Sequence, residues 1–132
     1  MAKAKNSNKF FKKLFLVAAI YDFFLGLFFL LFYEPVYALF SVPLPTYPVY
    51  LQMTAAFVTA MGVGYYFVYK NMYQNIDIVK LGIVYKAIYV GFTSYWYFVG
   101  LAHVLFFRFA IIDAIFLVLF VWFLVYTKKR KK

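Results

Sequence analysis

Four long apolar runs, at 14–32, 50–69, 78–98 and 107–126, are separated by shorter stretches that hold all of the proline, and most of the charge lies in the two tails that flank them. Each run is about 20 residues long, which is the length a helix needs to cross the hydrocarbon core of a bilayer. The apolar character is continuous within each run, whereas strands of a membrane barrel would alternate apolar and polar side chains over about 10 residues. The pattern therefore predicts helices. The first run follows a leader carrying Lys3, Lys5, Lys9, Lys12 and Lys13 and is followed by Glu34 and Pro35. It exceeds the about 7 to 15 apolar residues of a signal peptide and no small-residue cleavage site follows, so it reads as a retained anchor. The link at 33–49 holds Pro35, Pro43, Pro45 and Pro48, which exclude a regular helix through its second half. Val36, Tyr37, Leu39 and Phe40 suggest a short turn lying at the headgroup boundary.

Composition sharpens the pattern. Apolar residues make up 67% of the chain and charged ones 14%, against about a quarter charged in a soluble domain. Four spans occupy most of the 132 residues, which predicts one all-α membrane domain, a four-helix transmembrane bundle over 1–132 with basic tails at 1–13 and 127–132. The net charge of +10 is not the footprint of nucleic acid: ten of the fourteen basic residues lie in the two tails, beside apolar spans. Lysine and arginine flanking short loops stay on the cytoplasmic side. The leader, Lys70 with Lys80, and the terminal Lys128, Lys129, Arg130, Lys131 and Lys132 all fall on one face, and only Arg108 on the other. Both termini and the middle loop are thus expected inside, at the inner side of a prokaryotic plasma membrane. Aromatic residues, 27% of the chain, supply interfacial belts: Tyr47, Tyr50, Tyr95, Trp96 and Tyr97 outside, and Tyr65, Tyr66, Tyr69, Tyr73 and Tyr126 inside.

Away from the ends of the runs, the charged residues within them are Asp22, Lys86 and Asp113. A charge at mid-membrane costs at least about 2.5–3.5 kcal/mol unless paired or hydrated, so these three form a candidate intramembrane polar site. Helical rise places Asp22, counted from Lys13, and Lys86, counted from Asp77, each about 14 Å from the inner boundary. Asp113, counted back from Lys128, comes out at about 22 Å. Equal depth predicts an Asp22–Lys86 pair, with Asp113 about 8 Å higher, leaning outward and grouped with an outer polar set of Glu34, Gln52, His103 and Arg108. The pair is either a register-fixing ion pair or a proton or substrate site. In the second run Ala56, Ala60 and Gly64 recur every four residues, with Gly62 and Thr59 nearby, a small-residue stripe that predicts close helix packing within the bundle or a homodimer contact.

Counting excludes several chemistries. No cysteine is present, which removes disulfides, thiol relays and thiolate metal sites. One histidine, His103, cannot supply a bis-histidine haem, and the donors of a usual zinc site are missing. Ser7, Ser41 and Ser94 sit in no nucleophile elbow, and Gly62 and Gly64 lie inside an apolar run with no preceding strand, so they are no dinucleotide fingerprint. No catalytic constellation, metal site or cofactor is read from the residues.

Several phrases recur together: Tyr21, Asp22 and Gly26; Pro48 to Tyr50; Met61, Gly62, Val63, Gly64 and Tyr65; Leu81, Gly82 and Lys86; Ile112 and Asp113. In order and spacing they resemble the DoxX-like superfamily of small four-helix prokaryotic membrane proteins, over about Tyr21 to Tyr126. The resemblance implies a family whose members are mostly without assigned activity, some being subunits of thiosulfate:quinone oxidoreductases or companions of redox enzymes. It makes Asp22, Lys86 and Asp113 the family-like polar positions. Where such proteins often carry asparagine before the first glycine, this sequence has Asp22. The expectation is a small accessory or ligand-binding membrane protein, partnered with the bilayer and a membrane redox complex or a second copy, and open to a small apolar ligand or quinone. The rival is a proton-coupled exporter of the small multidrug resistance type, similar in length and in its acidic first span.

Overall fold

The computed structural model describes the backbone of residues 2–130 and the side chains of residues 6–129. Lys131 and Lys132, and the side chains of Lys3, Lys5 and Arg130, lie outside the described residues. Every regular element among the described residues is helical: α1 (Ala2–Leu31), α2 (Tyr33–Leu39), α3 (Pro48–Lys70), α4 (Ile76–Val99) and α5 (Val104–Arg130). The chain divides into two compact units, Met1–Gln74 and Asn75–Lys132.

In the first unit α1 packs along α3 and carries α2 at its far end. Neither glycine nor proline interrupts the leader, so α1 runs back through the lysines to Ala2 and is longer than the apolar run alone. The α2 helix is a seven-residue element whose proline, Pro35, lies in the first turn, where no backbone N–H is needed. Tyr37 is buried, with its ring edge-on to Phe29 at 6.0 Å, and burial pushes its hydroxyl above the ordinary phenol range. Leu39 on the same element is strongly exposed, so the expected interfacial turn is a short amphipathic helix. Residues 40–47 contain no helix, in keeping with Pro43 and Pro45, and Ser41 takes a left-handed φ of 56°. Pro48 then opens α3, where its fixed φ suits the first turn.

The α1–α3 contact passes through two glycines. A Cβ added at Gly62 would lie 2.7 Å from the Cα of Phe23, and one added at Gly26 would lie 2.8 Å from the carbonyl oxygen of Ala55. Thr59 keeps its hydroxyl on its own helix, donating to the Ala55 carbonyl at 2.8 Å, and so adds no polar atom in need of an outside partner. The small-residue face at this contact is therefore Ala55, Thr59 and Gly62. The stripe Ala56, Ala60 and Gly64 is displaced from it: Ala56 and Ala60 are exposed and Gly64 is only half-buried. One residue turns a helix by about 100°, so the neighbouring four-residue series does not face α1. Tyr65, expected in the inner aromatic belt, is fully buried, while Tyr66 keeps an exposed position.

In the second unit α4 and α5 form an antiparallel hairpin. Gly100 closes α4 with a φ of 96°. The Leu101 amide donates to the Trp96 carbonyl at 2.9 Å and that of Gly100 to the Tyr97 carbonyl at 3.0 Å, the paired bonds of a Schellman motif. Only glycine takes that φ without strain. The hairpin is stapled near the turn by Tyr97 stacked on Phe107, with centroids 4.2 Å apart, and further down by the Tyr89 hydroxyl donating to the Phe106 carbonyl at 3.1 Å.

Helices α1, α3 and α5 are long and apolar enough to cross a membrane, over Asn6–Leu31, Pro48–Lys70 and Val104–Lys129. The 24 residues of α4 provide the length, but Lys80, Lys86 and a Thr93–Tyr97 segment rich in hydroxyls interrupt its apolar run.

Candidate intramembrane polar site

The hairpin places a charged pair in its interior. Lys86 Nζ donates to Asp113 Oδ1 at 2.8 Å, with Lys86 at 0% and Asp113 at 7% relative exposure. The position follows from helical spacing. Val79, Gly82 and Lys86 form the buried line of α4, at intervals of three and four residues, and Ala110, Asp113, Phe116, Phe120 and Phe123 that of α5. Phe116, one turn beyond Asp113, puts its ring 5.1 Å from the Lys86 ammonium, and the Tyr85 ring lies 6.0 Å away. The ammonium thus faces a carboxylate on one side and a π face on another.

This geometry corrects the depth argument. Asp113 is a direct partner of Lys86, not an outer residue about 8 Å above it. Two assumptions failed. α5 continues as helix through Arg130, so Lys128 marks no helix end from which depth can be counted. A lysine head also travels on a flexible four-carbon stem, so the positions of two Cα atoms along a helix do not fix where the ammonium lies.

Asp22 belongs to the first unit, where it is 2% exposed on α1, beside the Phe23 backbone against which Gly62 packs. The outer set does not converge within either unit. Glu34 is exposed and accepts from the neighbouring Tyr33 hydroxyl at 3.4 Å. Gln52 Nε2 donates to the Leu30 carbonyl at 3.3 Å, tying α3 to the end of α1. His103 precedes α5 and its Nδ1 accepts the Leu105 amide at 3.0 Å, satisfying one of the unpaired donors of the first turn. Arg108 is exposed. These are local structural roles, and His103 in particular is a helix cap.

Chemically, a desolvated ammonium–carboxylate pair can hold helix register, exchange one partner for a ligand acceptor, or take up and release a proton. Phe116 was findable from the sequence, since it stands three residues after Asp113 and so shares its face. The Tyr89–Phe106 bond had no sequence signal, because a backbone carbonyl acceptor is available on any residue. The chain matches no family model, no curated protein and no solved structure.

Proposed function

We propose that this chain is a four-span membrane protein of the DoxX-like type, acting as an accessory, ligand-binding subunit of a membrane redox complex through a site centred on Lys86 and Asp113. The observation that carries the reading is the buried 2.8 Å pair. Taking two charges out of water costs several kcal/mol per ion, roughly, and a hydrophobic pair would hold two helices together without that cost. A ligand with a carbonyl head and an apolar body, such as a quinone, suits this surrounding: its carbonyl would take the place of the Asp113 carboxylate at the ammonium, and its body would lie against the Phe116 ring. A partner would have to supply the electron carrier.

The fourth crossing is supported by the hairpin itself. The Lys86–Asp113 and Tyr97–Phe107 contacts keep α4 beside α5 for much of its length, and Asp113 neutralises the lysine that most lowers α4's apolarity. Four crossings agree with basic tails on a single side, which the distribution of lysine places in the cytoplasm. Single cysteines at Ser7, Asn71 and Lys128 should then resist an impermeant thiol reagent in intact cells, while one at Ser41 reacts; the chain's lack of cysteine makes the background clean. Reaction at the tail positions in intact cells would reverse the orientation.

The functional test is purification of the full-length tagged chain from its native membrane in mild detergent. Lipid extracts and optical spectra would be compared between the wild-type chain and a Lys86→Met, Asp113→Asn double variant. A quinone, or a flavin, haem or iron–sulfur protein, should accompany the wild-type chain and be lost with the double variant. Wild-type protein carrying none of these would overturn the reading. Asp22, an acid buried in α1, favours one alternative, a proton-coupled exporter of the small multidrug resistance type. Dye efflux from cells, or uptake into inverted vesicles, that disappears with Asp22→Asn would put that alternative first.

A further inference from the structure

Beside the α1–α3 contact a groove of about 360 Å³ opens, walled by Leu16, Ile20, Phe23 and Phe24 of α1 and by Val63 and Tyr66 of α3. Ile20, Phe24, Val63 and Tyr66 are all exposed, and no charged side chain lines the groove. Below it the same helix faces turn basic. Lys12 and Lys13 lie one turn before Leu16, and Lys70 one turn after Tyr66. The two cations on opposite walls flank a tyrosine pair: Lys12 Nζ is 5.1 Å from the Tyr69 ring, Lys70 Nζ is 5.9 Å from that of Tyr66, and the two rings are 5.9 Å apart.

We propose that this groove holds one anionic phospholipid, its acyl chain along the α1–α3 groove and its phosphate at Lys12 and Lys70. Three features carry the proposal, which rests on α1 and α3 crossing the membrane and not on the function assigned to Lys86 and Asp113. The first is length: Lys12 to Phe24 spans about 18 Å of helix, close to the about 15 Å of a single leaflet's hydrocarbon. The second is charge. The acids of the first unit are Asp22 and Glu34, and the nearer, Asp22, is ten residues or about 15 Å along α1 from Lys12, too far to neutralise the lysines. The third is polarity order, apolar walls ending in tyrosine hydroxyls and then ammonium groups, which repeats the sequence of acyl chain, ester region and phosphate in a lipid.

The test is native mass spectrometry of the delipidated full chain titrated with dioleoyl phosphatidylglycerol or with phosphatidylcholine of the same chains. The wild-type protein should retain one phosphatidylglycerol roughly 25-fold more tightly than phosphatidylcholine, since each of the two lysines at a headgroup surface is worth about a factor of five. Lys12→Gln with Lys70→Gln should erase that preference. Val63→Phe, which fills the groove, should weaken both lipids. Lys128→Gln with Lys129→Gln, which removes the same charge from exposed positions on α5, should change neither. Equal binding of the two lipids, or an equal loss with the α5 double variant, overturns the proposal in favour of diffuse attraction. A lipid-free dimer that dissociates with Val63→Phe overturns it in favour of a second copy in the groove.

Discussion

Lys86→Met and Asp113→Asn, each made alone, should strongly lower the stability of the chain in detergent, while the two together should lower it far less. Each single change leaves a buried polar or charged group facing a partner that no longer balances it. Breaking a buried pair in this way costs about 3–5 kcal/mol, whereas replacing both members is often close to neutral. The 2.8 Å contact and the near-complete burial of both groups place this pair at the upper end of such effects. Reversible unfolding in mixed micelles would read it as a coupling energy across the four proteins of the double-mutant cycle. Additive losses would show that the pair is not energetically coupled. A parallel cycle of Asp22→Asn with Lys86→Met is the useful comparison. If its coupling exceeds that of Asp113, then Asp22 is the dominant counter-charge and equal depth in the sequence was the better guide.

The contrast between those cycles mirrors what the sequence could and could not reveal. Helices α1, α3, α4 and α5 were legible because continuous apolar runs of about 20 residues admit few other structures, and the link's prolines stopped the chain where they were expected to. The two basic ends were legible as charge but not as structure: lysines beside an apolar run do not end a helix, so α1 and α5 both extend into them. The three ionisable residues were found by cost alone. The contact of Lys86 with Asp113 was not, because helical rise gives depth to about one turn, while a lysine head moves by as much as that on its own stem. The α1–α3 contact was missed for a related reason. Small residues are abundant in α3, and spacing by four selects a face but cannot say which of two adjacent faces meets a neighbour. Gly26 was noted only as part of a resemblance and Gly62 only as a neighbour of the stripe, and the role of each is visible once Phe23 and Ala55 are seen against them.

Gly62→Ala should destabilise the first unit sharply, and Ala60→Leu, a much larger change in volume, should not. At Gly62 the added methyl would stand 2.7 Å from the Cα of Phe23, and the obstacle is helix backbone, which cannot rotate aside as a side chain can. The helices must move apart along their contact, losing packing over several turns, so the cost belongs at or above the about 1–3 kcal/mol typical of overpacking. Gly26→Ala is an independent probe of the same contact, since its methyl would meet the Ala55 carbonyl and the Thr59 backbone. Ala60 is exposed, so a leucine there adds apolar surface where a spanning helix meets lipid tails, a setting that accepts it. Thermal unfolding in detergent would rank Gly62→Ala and Gly26→Ala well below the wild-type chain, with Ala60→Leu beside it. The reverse order, Ala60→Leu harmful and Gly62→Ala harmless, would move the close approach to the Ala56, Ala60 and Gly64 stripe and dissolve the α1–α3 geometry that walls the groove. If Ala60→Leu leaves stability intact but changes the mass of the detergent complex by that of a whole chain, the stripe is a contact between two copies and the intramolecular contact at Gly62 stands.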